Sequence, residues 1–239
     1  MFDRMRAFAS EPSASAPDFR HVEAWIFDLD NTLYRPDTGV FAEVESRMTW
    51  FIADLLTETA EVAGKIRKDY YRQYGSTLNG LMLRHRVDPE AFLDFVHDID
   101  LSPLEPDQAL NAAIERLPGR RFVFTNGCRR YAQRVLDRIG LDRAIDGLWD
   151  IRSSDFAPKP EPAAYRTAIA SERIDPKRAA MFEDVARNLE PARALGMTTV
   201  WIDPGPHDSL KEPEGHVSEA GHVDFVCGDL AQFLGAIRI

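Results

Sequence analysis

The chain has 239 residues, 44% hydrophobic and 28% charged, which is enough for a sizeable core without disulfides or structural metals. Its formal charge of −10 argues against an electrostatic grip on nucleic acid or on a membrane surface, so neither is expected as a partner. Two cysteines, Cys128 and Cys227, lack C-x-x-C spacing and read as reduced thiols of a cytoplasmic protein, and no run approaches the ~20 apolar residues of a membrane span.

In chain order, residues 1–20 are rich in Ser, Ala and Pro, carry no signal-type apolar segment, and are expected to form a flexible leader. A first strand is predicted over 24–27. From about Pro36 to Pro106 the chain shows only helical periodicity: Phe41, Val44, Met48, Phe51, Ile52 and Leu55 trace one helix face. Thr57, Glu58 and Glu61 open a second helix that Gly75 ends, and Asp88-Pro89-Glu90 starts another with Asp as cap and Pro at the first position.

Beyond this block strands and helices alternate. A helix capped by Asp107 runs to Leu117, and others cover 129–139, begin near Pro162, and run from Asn188 until Gly196. Strands are predicted over 121–124, 148–151, 179–182, 198–202 and 223–226, and residues 203–221 read as a long surface loop. The alternation implies an α/β fold with a Rossmann-like open parallel sheet, formed by residues 21–37 and 104–239. The helical block, residues 38–103, is an insertion that hangs over the end of the first strand.

That strand ends in WIFDLDNTLY, with Asp28 and Asp30 one residue apart; extended backbone points both to the same side. Alone, the pair is a polar strand exit. Three further stations stand at other strand ends: Thr125-Asn126-Gly127, Lys159 between two prolines, and Glu183-Asp184. A hydroxyl next to free backbone N–H groups can cradle a phosphate, although Thr125 can also be a turn residue. An exposed loop is the bland account of Lys159, and N-capping explains one of the acids at 183 and 184. In an open α/β sheet, ligands bind beyond the carboxyl ends of the strands, where all four stations meet. Four clustered carboxylates call for a hard cation, and oxygen donors of this kind suit Mg²⁺.

These residues resemble, in order, the four motifs of the haloacid dehalogenase (HAD) superfamily: Asp28-Leu29-Asp30-Asn31-Thr32, Thr125-Asn126, Lys159 and Glu183-Asp184. The helical insertion is similar to that superfamily's C1 cap. FDLDNTLY, RKDYYRQYG, HDIDL, FTNG, PKPEPAAY and AMFEDVARNL resemble the pyrimidine 5′-nucleotidase-like branch. The resemblance implies that Asp28 is the nucleophile of a phosphatase and Asp30 its general acid and base. It also implies that Thr125, Asn126 and Lys159 hold the phosphoryl group, with Lys159 offsetting charge. Mg²⁺ then binds Asp28, Asp184, the backbone carbonyl of Asp30, and Glu183 directly or through water. Asp30 separates phosphatase from dehalogenase, because a halide leaves without a proton.

The expected partner is therefore a small-molecule phosphomonoester, with pyrimidine nucleoside 5′-monophosphates favoured. A phosphatase or mutase for a small sugar phosphate or phosphoglycolate is the alternative enzyme. A receiver-type regulatory module, which also combines Asp, Thr and Lys, is the alternative of another class. In the cap, Arg47, Tyr70, Tyr71, Tyr74, His97 and Asp98 are candidates for contacting the leaving group, although tyrosines spaced i, i+3 and i+4 also suit a helix packing face. His207, His216 and His222 lack zinc-ligand spacing and are expected in solvent.

Overall fold

The apolar run Ala24–Phe27 forms β1, buried along its whole length at the middle of the sheet. It pairs in parallel with β2 (Arg120–Phe124) on one side and β4 (Ala179–Glu183) on the other. With β3 (Gly147–Trp149), β5 (Thr198–Ile202) and β6 (Phe225–Cys227) the order is β3-β2-β1-β4-β5-β6, all parallel, as the alternating sequence predicts. The structure, a computed structural model, describes residues 16–203, 205 and 221–239.

Both faces of the sheet are covered, which is why its central strands are apolar without alternation. Trp25, Phe27 and Phe182 point to the face packed by α5 (Gln108–Glu115), α6 (Arg129–Ile139) and α9 (Leu230–Ala236). Ile26, Phe122 and Met181 point to the face packed by α7 (Pro162–Ser171) and α8 (Leu189–Leu195). Of residues 16–20, expected in the leader, Phe19 instead packs into the core, while Asp18 and Arg20 stay exposed. Phe19 is fully buried, its ring centroid 5.8 Å from Trp25, and its N–H donates to the Arg238 carbonyl at 2.8 Å. The rest of the predicted leader and most of the 203–221 loop, with His207 and His216, lie outside the described residues.

Two strand predictions shift at the sheet edges. The strand placed at 148–151 stops at Trp149, because the Asp150 carboxylate caps the 3₁₀ turn Ile151–Ser154 by accepting from the Ser153 N–H. The strand placed at 223–226 pairs instead over Phe225–Cys227.

Between β1 and α5 the described chain is helical: α1 (Val40–Leu56), α2 (Ala60–Tyr74), α3 (Thr77–His85) and α4 (Pro89–Val96). The start of α2 is corrected: Thr57 is the left-handed end of α1, and Thr59 caps α2 by accepting from the Val62 N–H at 3.3 Å. Helix α3 was not predicted. It starts at Ser76, whose hydroxyl accepts from the Asn79 N–H, and it lies tight against α2, since a Cβ on Gly80 would fall 2.5 Å from Tyr70 Cβ. Asp88 and Pro89 open α4 as predicted. No helix among the described residues is long and apolar enough to cross a membrane.

Candidate active site

Beyond Phe27 the backbone stays extended for one more residue, the Asp28 N–H donating to the Phe182 carbonyl at 2.9 Å. This carries Asp28 to the carboxyl edge of the sheet, where Thr125 follows β2 and Glu183 ends β4. Lys159 enters from the loop before α7 and is almost fully buried. Its ammonium donates to Asp28 Oδ1 (2.5 Å), Glu183 Oε2 (2.7 Å) and the Phe124 carbonyl (2.7 Å). Burial disfavours the charged amine, but the charges of Asp28 and Glu183 outweigh it and raise its pKa above the ordinary lysine value.

Asp28, Glu183 and Asp184 bring carboxylate oxygens within 4.8 Å of one another. Burial, and then the Glu183 charge, push Asp28 up to about 8 against the pull of Lys159. Asp184 is raised well above its usual range by enclosure first and by Asp28 and Glu183 next. One ammonium among these acids leaves an excess of negative charge. An all-oxygen donor set with that excess fits a hard divalent cation such as Mg²⁺. The side chain of Asp30 is not in this cluster.

Asp30 has other company. Tyr34 and Tyr131 hydroxyls both donate to its Oδ1, at 2.6 and 2.8 Å, and the two phenol oxygens are 3.2 Å apart. Burial raises the Asp30 pKa, and the two tyrosine bonds partly offset that rise. His97 stacks flat on Tyr131, centroids 4.4 Å apart, and its own burial lowers its pKa to about 3, so the ring is neutral. Neither Tyr34 nor Tyr131 was singled out from sequence. Tyr34 lies four residues past Asp30, but Tyr131 reaches it only through the packing of α6.

Thr125 is buried, and its Oγ1 accepts from the Gly127 N–H at 2.9 Å, leaving its own O–H to donate. Asn126 lines the same cavity as Asp28, Thr125 and Lys159. Its side-chain oxygen accepts from the Lys159 N–H (2.8 Å) and its amide donates to the Lys159 carbonyl (3.2 Å), so both ends of the side chain hold the lysine loop.

A cavity of about 130 Å³ lies between these strand ends and the helical insertion. Of the cap candidates, Tyr71 and His97 line it. Arg47 instead donates to the Phe95 carbonyl and stacks on that ring, Tyr70 pairs with His85, Tyr74 packs edge-on against Tyr70, and Asp98 is exposed. His222 is half-buried, not solvated. Sequence reading missed Glu45 and Arg67, which also line the cavity as a buried pair at 2.5 Å. The signal was present: Glu45 falls at i+4 from Phe41, and Arg67 at i+4 from Ala63, each a charge on an apolar stripe.

Residues 22–196 match the haloacid dehalogenase-like hydrolase family. The chain is 26% identical over 196 residues to Phosphate metabolism protein 8 of Saccharomyces cerevisiae, a match covering 73% of this chain and 60% of the yeast protein. It is 25% identical over 207 residues to Glyceraldehyde 3-phosphate phosphatase of Methanocaldococcus jannaschii, covering 81% of this chain and 90% of that one. A HAD phosphatase from Thermococcus onnurineus superposes with a TM-score of 0.57 at 17% identity, over 91% of this chain and 100% of the other. L-2-haloacid dehalogenase from Xanthobacter autotrophicus superposes at 0.56 and 16% identity, over 90% and 97%. Those structures share the fold, and the sequence match spans the strand ends that carry Asp28, Thr125 and Glu183 and the loop that carries Lys159: the chain belongs to the haloacid dehalogenase-like hydrolases.

Proposed function

We propose that this protein is a cytoplasmic, Mg²⁺-dependent phosphomonoester hydrolase that works through an aspartyl phosphate on Asp28. The observation that carries this reading is the Lys159 ammonium, buried between Asp28 and Glu183 at the mouth of a cavity that also holds Asp30. An Asp28 oxygen attacks phosphorus as the bond to the leaving oxygen breaks, and Asp30 protonates that oxygen. Oδ1 of Asp30 accepts two tyrosine O–H bonds, so the proton is carried on Oδ2. Asp30 then takes a proton from water as the water oxygen attacks phosphorus, releasing phosphate and restoring Asp28. The Thr125 hydroxyl donates to a phosphoryl oxygen, and Lys159 offsets charge gathering there.

Asp28 and Asp184, with the Asp30 backbone carbonyl that the family resemblance assigns, would hold Mg²⁺. Both Glu183 oxygens are engaged, by Lys159 and by the Val185 N–H, which suits support through water. Bound there, the cation supplies further neutralisation of the phosphoryl oxygens. An acid at position 30 favours an alcohol leaving group over a halide, and the relative named as a glyceraldehyde 3-phosphate phosphatase supports the same chemistry.

The sequence motifs favour pyrimidine nucleoside 5′-monophosphates as substrates. The cavity volume of about 130 Å³ favours a second reading, a smaller phosphomonoester. It is close to the ~150 Å³ that accommodates benzene, so a nucleotide needs the insertion displaced. A panel of UMP, CMP, purine nucleotides, glycerol phosphates and sugar phosphates separates the two. Asp28→Asn is expected to lower turnover on every active substrate by on the order of 10³-fold or more, with unchanged circular dichroism. Substantial activity in that variant overturns the nucleophile assignment.

A further inference from the structure

The cap side of the cavity is largely apolar, its polar groups being Tyr71, Ser76, Thr77, the neutral His97 and one ion pair. Phe41, Val44 and Met48 of α1 face Phe92, Leu93 and Val96 of α4 around it. In this wall Arg67 Nη1 donates to Glu45 Oε1, and both residues are only 8% exposed. Such a pair costs desolvation that two apolar residues of similar size would avoid. It is also incompletely satisfied. Arg67 Nε is buried without a hydrogen-bond partner, and the second Glu45 oxygen takes no bond from any described residue.

Counting the charges that line the cavity gives two cations, Lys159 and Arg67. Lys159 is spent on Asp28 and Glu183, and Arg67 on Glu45. His97 is the remaining basic side chain in the lining, and its ring is neutral. A carboxylate on the leaving group would therefore enter an apolar chamber whose cap cation is already matched, beside the Glu45 charge. Burying an unpaired carboxylate there is strongly unfavourable. An uncharged hydroxylated leaving group meets no such penalty. Its C–H surface packs on the aromatic and aliphatic walls, and the Arg67–Glu45 pair offers N–H donors and a carboxylate acceptor to its polar atoms.

From this geometry we infer that the enzyme selects phosphomonoesters of uncharged alcohols, because Glu45 matches Arg67 and leaves the chamber no free cation for an acidic leaving group. The inference rests on the phosphatase reading and narrows it: nucleosides and small polyols qualify, whereas phosphoglycolate and phosphoglycerates do not.

Glycerol 3-phosphate and 3-phosphoglycerate form a matched pair, similar in size and differing in a hydroxymethyl against a carboxylate. Wild-type kcat/KM is expected to favour glycerol 3-phosphate by about 10²-fold or more, as a site that leaves a buried charge unpaired should. Glu45→Gln frees Arg67 and is expected to raise kcat/KM on 3-phosphoglycerate relative to glycerol 3-phosphate by about tenfold, a gain that misfolding cannot produce. The double variant Glu45→Gln/Arg67→Met frees no cation and keeps the wild-type bias, which provides the test if the single variant fails to fold. Equal wild-type rates on the pair, or a Glu45→Gln variant that moves both rates alike, overturn the inference and leave the hydrolase reading standing. Absence of phosphate release from every phosphomonoester, p-nitrophenyl phosphate included, overturns both.

Discussion

Asp28 and Asp30 have the same side chain two residues apart, and their neighbours give them opposite tasks. Asp28 faces a buried ammonium, which favours its anion against the rise that burial and Glu183 impose; Asp30 faces two phenols, which fix one oxygen and, in the proposed mechanism, leave the other to carry a proton. Tyr34 and Tyr131 are therefore positioning residues for the acid. Removing either hydroxyl, by Tyr34→Phe or Tyr131→Phe, should lower kcat on an alkyl phosphomonoester about tenfold more than on p-nitrophenyl phosphate, because nitrophenolate departs without a proton. Equal losses on the two substrates would assign the tyrosines a packing role only. Legibility in the sequence divides along the same line. Asp28, Thr125 and Glu183 stand where apolar runs stop, and parallel strands all stop on one edge of a sheet; Lys159 is marked instead by its two flanking prolines. Tyr131 sits in the first turn of a helix, and its link to Asp30 across 101 positions depends on how that helix packs.

At the level of elements, the helical insertion is held by a close crossing of α2 and α3, and this crossing also explains the missed helix. Gly75 and Asp88-Pro89 punctuate the chain so strongly that the segment between them reads as a connection, and Gly80 inside it lowers helix propensity by about 1 kcal/mol relative to Ala. That glycine is present because Tyr70 occupies the space a side chain would need. Gly80→Ala should therefore destabilise the protein by roughly 1–3 kcal/mol despite the gain in propensity, since overpacking outweighs it. A melting temperature equal to or above wild type would show that α2 and α3 separate without cost. The central strands were readable because both faces are buried. The edges were not, because a side chain such as Asp150 ends a strand by capping the 3₁₀ turn next to it.

Over the whole molecule the charge is −10, yet the proposed substrate is an anion, so its reception falls to local charge: Lys159 and the cation expected at Asp28 and Asp184. Binding that occurs only in the folded state raises stability by about 2.7 kcal/mol at a hundred times the dissociation constant. Thermal melting in Mg²⁺ should thus lie above melting in EDTA, and Asp184→Asn should abolish most of the difference. Coincident curves at saturating Mg²⁺ would remove the carboxylate cluster as a cation site. The Asn126 side chain adds a mechanical consequence. By gripping both the N–H and the carbonyl of Lys159, it splices two loops that are 33 residues apart into one moving part. The hydroxyl of Thr125 and the ammonium of Lys159 are then displaced together, and an error in placing one is an equal error in placing the other. Their separation is protected even when their common position shifts, so the proposed phosphoryl group would meet a caliper with a fixed gap.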